Sequence, residues 1–153
     1  MVTLDGVAGL FAGGPANVPW TRALEGLGDV EAARVPVGLP HSVAQVAAHV
    51  RFWQDWLLEL SAGGTPGWPD HAADGWPEPG DWTDLRAALL DGQDRLQVLA
   101  RDAAFTAGHT PGGQSWATLL SNFAGHGVYH LGQVVLIRQA LGLWPPPGGG
   151  DTW

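Results

Sequence analysis

Cysteine is absent from this 153-residue chain. That one absence removes disulfides, thiolate metal ligands and a cysteine nucleophile together, so any metal must be held by histidine or carboxylate. It is compatible with a reducing compartment. Basic residues are scarce as well: seven Lys plus Arg stand against fifteen Asp plus Glu, a formal charge of −8. They form no cluster, and gripping a phosphate backbone needs the opposite balance, so no nucleic-acid partner is expected. No apolar run reaches the roughly 18 residues of a membrane span, and the opening MVTLDGVAGLFAGG lacks the basic flank of a signal peptide. The expectation is a soluble, cytoplasmic protein without a membrane partner. Strand-like alternation and internal repeats are missing too, which turns attention to helices.

Helical periodicity is what remains between the Gly/Pro breaks. A first region reads as a short helix near residues 3–12 and a second piece near 19–27, followed by the connector GDVEAARVPVGLP. The next helix opens on Ser42 with Gln45 three residues later, a capping-box spacing in which each side chain satisfies the other's free N–H. It runs to about Leu60 on a face of Val43, Val46, Val50, Trp53, Leu57 and Leu60. A long loop, GGTPGWPDHAADGWPEPG, follows; loops of that length are functional covers or disordered. A third helix starts near Asp81 with the stripe Trp82, Leu85, Leu89, Leu96 and Leu99, which Gly92 interrupts, either for close packing or to leave room for substrate. The fourth, within residues 115–142, closes on a glycine cap at Gly142 with Leu143 able to pack back on Ile137. Four principal amphipathic helices predict an all-α, four-helix bundle in one domain over residues 1–153, with long crossover connections and a flexible Pro/Gly tail at 145–153.

Nine tryptophans are many for this length. Trp20, Trp53, Trp56, Trp82 and Trp116 fall in helical patterns and are expected in the core or a pocket wall. Trp68 and Trp76 sit in the long loop, Trp144 and Trp153 near the C-terminus, and all four are expected to cover an edge or a partner surface.

The stripe of the fourth helix (Trp116, Leu119, Leu120, Phe123, Val134, Ile137, Leu141) carries His126 and His130 where its pattern calls for leucine. Four residues apart on a helix, both rings lie on one face with Cβ atoms about 5–6 Å apart, a gap a divalent ion can bridge. An inward-facing imidazole left unpaired costs roughly 1–3 kcal/mol, so something must satisfy each. Two core histidines bonded to carbonyls would do so. A third ring, His49, at the inner edge of the second helix makes a three-His metal site the more economical reading, with open positions for water or substrate. His41, His71 and His109 precede a cap or lie in loops and are read as solvated or capping, with His41 able to line an entrance.

HSVAQVAAHV in the second helix together with HGVYHLGQVVLIRQALG in the fourth resembles the DinB-like family (the DNA-damage-inducible, YfiT-like group) of metal-binding four-helix proteins. The resemblance covers most of the chain and is carried by the lone histidine of the second helix and the H-x-x-Y-H-x-G-Q run. It implies an up-down-down-up bundle, a divalent ion on His49, His126 and His130, and homodimers. Some relatives transfer low-molecular-weight thiols such as bacillithiol or mycothiol, and many others are described as metal-dependent hydrolases. Relatives often have an acidic residue just after the first histidine of the run, where this chain has Gly127; Gln45, Trp53, Tyr129 and Gln133 are the candidates to support the site instead. Gly127 and Gly132 are read as permitting close helix approach.

The chemistry expected is that of an open three-His metal enzyme acting on a small molecule, a thiol-dependent S-transferase or a hydrolase. Three nitrogens plus water suit zinc best, with nickel, iron and manganese also compatible. No Glu or Asp falls on the inner stripe near the histidines, which favours transfer of an incoming thiol over hydrolysis. The alternative is a stress-response module that binds metal without turnover.

Overall fold

The computed structural model describes residues 4–13 and 17–149. Its elements are α1 (Asp5–Ala12), α2 (Trp20–Ala23), α3 (Asp29–Ala33), α4 (Val43–Ser61), a 3-10 turn (Ala72–Gly75), α5 (Trp82–Arg101), α6 (Ala103–Thr106) and α7 (Trp116–Ala140). The protein is all-α, with no strand among the described residues. An isolated antiparallel bridge joins His109 to Ser115. None of these helices is long and apolar enough to cross a membrane.

The long helices begin where the local chemistry stops the first turn from fraying. Ser42 Oγ accepts from the Gln45 N–H at 3.2 Å and Gln45 Oε1 accepts from the Ser42 N–H at 2.9 Å, the reciprocal cap expected of that spacing. Asp81 and Ser115 cap α5 and α7 in the same one-sided way. At the other end of α7, Gly142 takes φ 71°, and the Leu143 N–H donates to the Arg138 carbonyl at 2.8 Å. That bond closes a Schellman turn and tucks Leu143 against the apolar cluster containing Ile137.

Two apolar clusters fill the interior. One gathers Val43, Val46 and Val50 of α4 with Trp82, Leu85 and Leu89 of α5 and Leu131, Val134 and Ile137 of α7. The other gathers Trp56, Leu57 and Leu58 of α4 with Leu96 and Ala100 of α5, Trp116, Leu119, Leu120 and Ala124 of α7, and Ala8 and Phe11 of α1. Along α7, His126 and His130 occupy the stretch between the residues of one cluster and those of the other.

Several details depart from the sequence expectations. The connector after residue 27 carries a short helix, α3, and the piece expected at 19–27 is helical only over Trp20–Ala23. Gly92, by contrast, follows the packing reading: a Cβ there would collide with Gln54 Oε1 and stand 3.1 Å from an Arg51 guanidinium nitrogen. Gly127 and Gly132 do not permit a close helix approach, because a Cβ on either meets nothing within 4 Å. The start of the tail is seated instead of free. Pro146 is fully buried, Pro147 lies against Gly26, and Arg22 donates to the Gly149 carbonyl. Residues 150–153, Trp153 among them, lie outside the described residues, as does residue 3 of the first predicted helix.

Arg138 explains why the chain turns back there. Only 2% exposed, it donates to the Ala23 carbonyl at 2.6 Å and to the Leu143 carbonyl at 3.1 Å, with its guanidinium 5.5 Å from the Trp144 ring. Burial lowers its pKa and the charge of Glu25 opposes that. A buried cation spread over two helix-end carbonyls and an indole face ties α7, α2 and the C-terminal segment together.

Candidate metal centre

His49 arrives from the middle of α4, and His126 and His130 from successive turns of α7. His49 and His130 are buried and His126 is partly so. Nε2 of His126 lies 3.1 Å from Nε2 of His49 and 3.0 Å from Nε2 of His130. One nitrogen from each ring falls within 4.8 Å of the others. Two nitrogens held on one zinc at about 2.0–2.1 Å and a tetrahedral angle stand about 3.3 Å apart, so the spacing suits a shared ion.

The far sides of the rings decide the protonation. His49 Nδ1–H donates to the Gly75 carbonyl at 2.6 Å, and His130 Nδ1–H donates to Gln133 Oε1 at 2.6 Å. With the proton fixed on Nδ1, each neutral ring turns a bare Nε2 lone pair inward. A proton on His126 Nε2 can bond to one of these neighbours and leaves the other facing it unpaired. Three converging nitrogens of this kind could hold a metal ion.

Burial keeps the rings neutral, the form that binds metal. It lowers the pKa of His126 to about 4, with the charges of His130 and His49 adding to the effect. His49 and His130 are lowered by burial first; the Gly75 and Gln133 hydrogen bonds oppose this, and neighbouring histidine charge reinforces it. The arrangement is the one in which an imidazole keeps its outer N–H on an oxygen so that its inner nitrogen points at an ion.

A family model of the DinB superfamily matches residues 20–134, more than half of the chain, a span that includes all three imidazoles. The chain belongs to the DinB superfamily. No curated protein and no solved structure gives a significant match.

In this DinB-superfamily protein the other expected site residues separate. Gln133 reaches His130. Trp53 stands edge-on to His126 with centroids 6.4 Å apart. Tyr129 packs its ring against His130 at 5.1 Å but is 66% exposed, so it sits outside the cluster. Gln45 is committed to the cap of α4. His71 and His109 are exposed and apart from the cluster.

His41 and Trp76 are nearer than expected. The Trp76 indole lies flat between two imidazoles, 4.1 Å from His41 and 4.0 Å from His49, with interplanar angles of 16° and 9°. Trp76 therefore covers the site itself instead of an edge remote from it. The adjacent Gly75 carbonyl, which fixes the tautomer of His49, belongs to the same turn. Nothing in the composition of the long loop distinguishes that carbonyl from its neighbours.

The DinB-superfamily site also has an opening. Beside His126 a cavity of about 270 Å³ is lined by Trp53, Trp68, Asn122 and Phe123. The long loop thus covers the His49 side and leaves the His126 side accessible. Sequence reading placed Trp68 at an edge and missed Asn122 altogether.

Proposed function

We propose that this protein is a divalent-metal enzyme acting on small molecules, a thiol-dependent S-transferase in preference to a hydrolase, with His49, His126 and His130 as its ligands. The observation that carries the reading is the convergence of three inward ring nitrogens, with the outer N–H groups of His49 and His130 already spent on Gly75 and Gln133. When bound, a divalent ion, zinc by preference, supplies Lewis acidity that lowers the pKa of a water or thiol or polarises an electrophile. The chain's own contribution is orientation and shielding. Gly75 and Gln133 fix the ring planes, Trp76 keeps water off one side, and the cavity beside His126 admits the reactant.

The preference for transfer comes from what surrounds the rings. Among the described residues no carboxylate joins the cluster or lines that cavity, so neither offers a carboxylate general base. A thiolate needs less proton shuttling than amide hydrolysis, and with no cysteine in the chain it must come on a cosubstrate.

The bundle topology belongs to the same proposal. Val43 and Val46 share a cluster with Trp82 and Leu85, while Trp56 and Leu57 share one with Leu96, which supports parallel α4 and α5. Trp116 groups with the later residues of α4 and Ile137 with the earlier ones, which supports an antiparallel α7. The Leu4 N–H donating to the Ala100 carbonyl brings the start of α1 to the end of α5, which supports an up-down-down-up order. We further propose a cytoplasmic homodimer, for which the outer groove of α7 between Val128, Gly132 and Leu136 is an available surface; a monomeric mass in sedimentation would remove that part.

Untagged protein should bind one zinc per chain, and His49→Ala, His126→Ala and His130→Ala should each weaken binding at least about 100-fold. Bacillithiol, mycothiol and glutathione, each tried with a panel of electrophiles, should then show zinc-dependent turnover. Wild-type zinc binding retained in His126→Ala contradicts the site. Zinc binding without turnover in any combination leaves a non-catalytic metal module.

A further inference from the structure

We propose that the cavity beside His126 is a binding subsite for an uncharged, planar aromatic group, the apolar arm of the substrate. Its wall is built from rings. Trp53 stands at the centre, with Trp68 at 5.4 Å and Phe123 at 6.1 Å between centroids, and His126 closes the inner end. Those rings are held from behind. Trp56 stacks on Phe123 at 5.8 Å and 13°, meets Trp68 tilted at 43° with centroids 4.6 Å apart, and donates its Nε1–H to the Gly67 carbonyl at 3.0 Å. The loop that carries Trp68 is therefore pinned to α4, and the cavity stands ready without rearrangement.

The chemistry of that wall selects its ligand. Rings meeting at 51° and 74° offer both faces and edges, the surfaces against which a flat aromatic group packs. Among the described residues no Arg, Lys, Asp or Glu lines the cavity. Desolvating a charge there finds no partner, and an anion also meets a chain of net charge −8. Asn122, exposed at the rim, is the one side-chain amide among the described lining residues able to bond a polar atom on the ligand. A volume of about 270 Å³ falls just under the roughly 300–1,000 Å³ of common small-molecule sites, room for one or two rings and too little for a polymer. The polar end of a charged thiol cosubstrate must then lie outside this cavity.

This assignment deepens the metal-enzyme proposal and rests on it for any role in turnover. Binding is tested on metal-free protein, so the two can fail separately. The probes are 2-naphthol, 2-naphthoate and 2-naphthylmethylammonium at neutral pH, titrated against the full chain in chelator with tryptophan fluorescence and calorimetry. Saturable one-to-one binding of 2-naphthol is expected, at least about ten-fold tighter than either charged analogue. Trp68→Ala should weaken 2-naphthol about ten-fold or more while leaving the thermal midpoint near wild type. Asn122→Lys should bring 2-naphthoate up towards 2-naphthol. Absent or non-saturable 2-naphthol binding, equal affinity for a charged analogue, or an unchanged affinity in Trp68→Ala overturns the subsite. Loss of zinc binding elsewhere does not bear on it.

Discussion

Trp76 lies flat on His49, centroids 4.0 Å apart and planes 9° from parallel. The indole belongs to a loop and the imidazole to a helix, so the stack joins the least regular segment near the site to one of its most rigid elements. It limits the rotation that would otherwise swing the Nε2 of His49 away from the α7 pair. Trp76→Ala should lower zinc affinity several-fold with little change in helicity, and Trp76→Phe should recover most of the loss. Calorimetric titration of the three proteins checks it; equal affinities would show the indole to be cover only.

Gln133 sets the second ring. Removing the partner of a ligating histidine typically costs 10–100-fold in metal affinity. Gln133→Ala should fall in that range. Gln133→Glu should match or exceed wild type, because a carboxylate accepts the same Nδ1–H more strongly. Zinc competition against a chromogenic chelator reads both, and an affinity in Gln133→Ala equal to wild type would show the contact to be incidental.

Acid should weaken the metal-free protein through these rings. All three have pKa values held below the ordinary 6.5 in the fold, His126 down to about 4. The unfolded chain therefore takes up protons on them first, and stability falls as pH drops from about 6.5 towards 4. Above that window the rings are neutral in both states and contribute no slope. The thermal midpoint should decline through the window, and His126→Leu should decline less. Zinc affinity should hold from pH 8 to below 6.5 and fall only as pH nears the lowered pKa values of the folded rings, about 4 for His126, since protons then compete for the same lone pairs. A midpoint that climbs on acidification, or an equal slope in His126→Leu, contradicts the assignment.

Two glycines should respond in opposite directions. A Cβ at Gly132 meets open space, so Gly132→Ala should gain about 0.5–1 kcal/mol from helix propensity alone. A Cβ at Gly92 meets Gln54, so Gly92→Ala should destabilise despite the same propensity gain. Denaturant midpoints with unchanged slopes decide the matter, and a stabilised Gly92→Ala would mean that Gln54 can move aside.

The two glycines also show where sequence reading stops. The spacing of Leu and Val in α4, α5 and α7, and the pairing of Ser42 with Gln45, follow from helix periodicity and cap chemistry, both local, and could be read directly. The same periodicity set His126 and His130 on one face, and the odd placement of polar rings in an apolar stripe drew in His49. Gly92 and Gly132 look alike in sequence because what separates them is a neighbour distant along the chain. Trp76 and Trp68 were assigned to edges for the same reason: loop residues carry no period, and their partners are fixed only when the loop folds back over α4. Arg138 is a buried tie that no local pattern signals, because the Ala23 carbonyl it binds lies 115 positions away.

The acceptor that sets the tautomer of His49 is a peptide oxygen, that of Gly75. No side-chain replacement deletes such a group, so alanine scanning across the loop would pass over it. What the contact does depend on is the number of residues leading to it. Substitutions there can be many and harmless, whereas adding or removing a single residue between α4 and the 3-10 turn would shift the oxygen off its imidazole and release the ring.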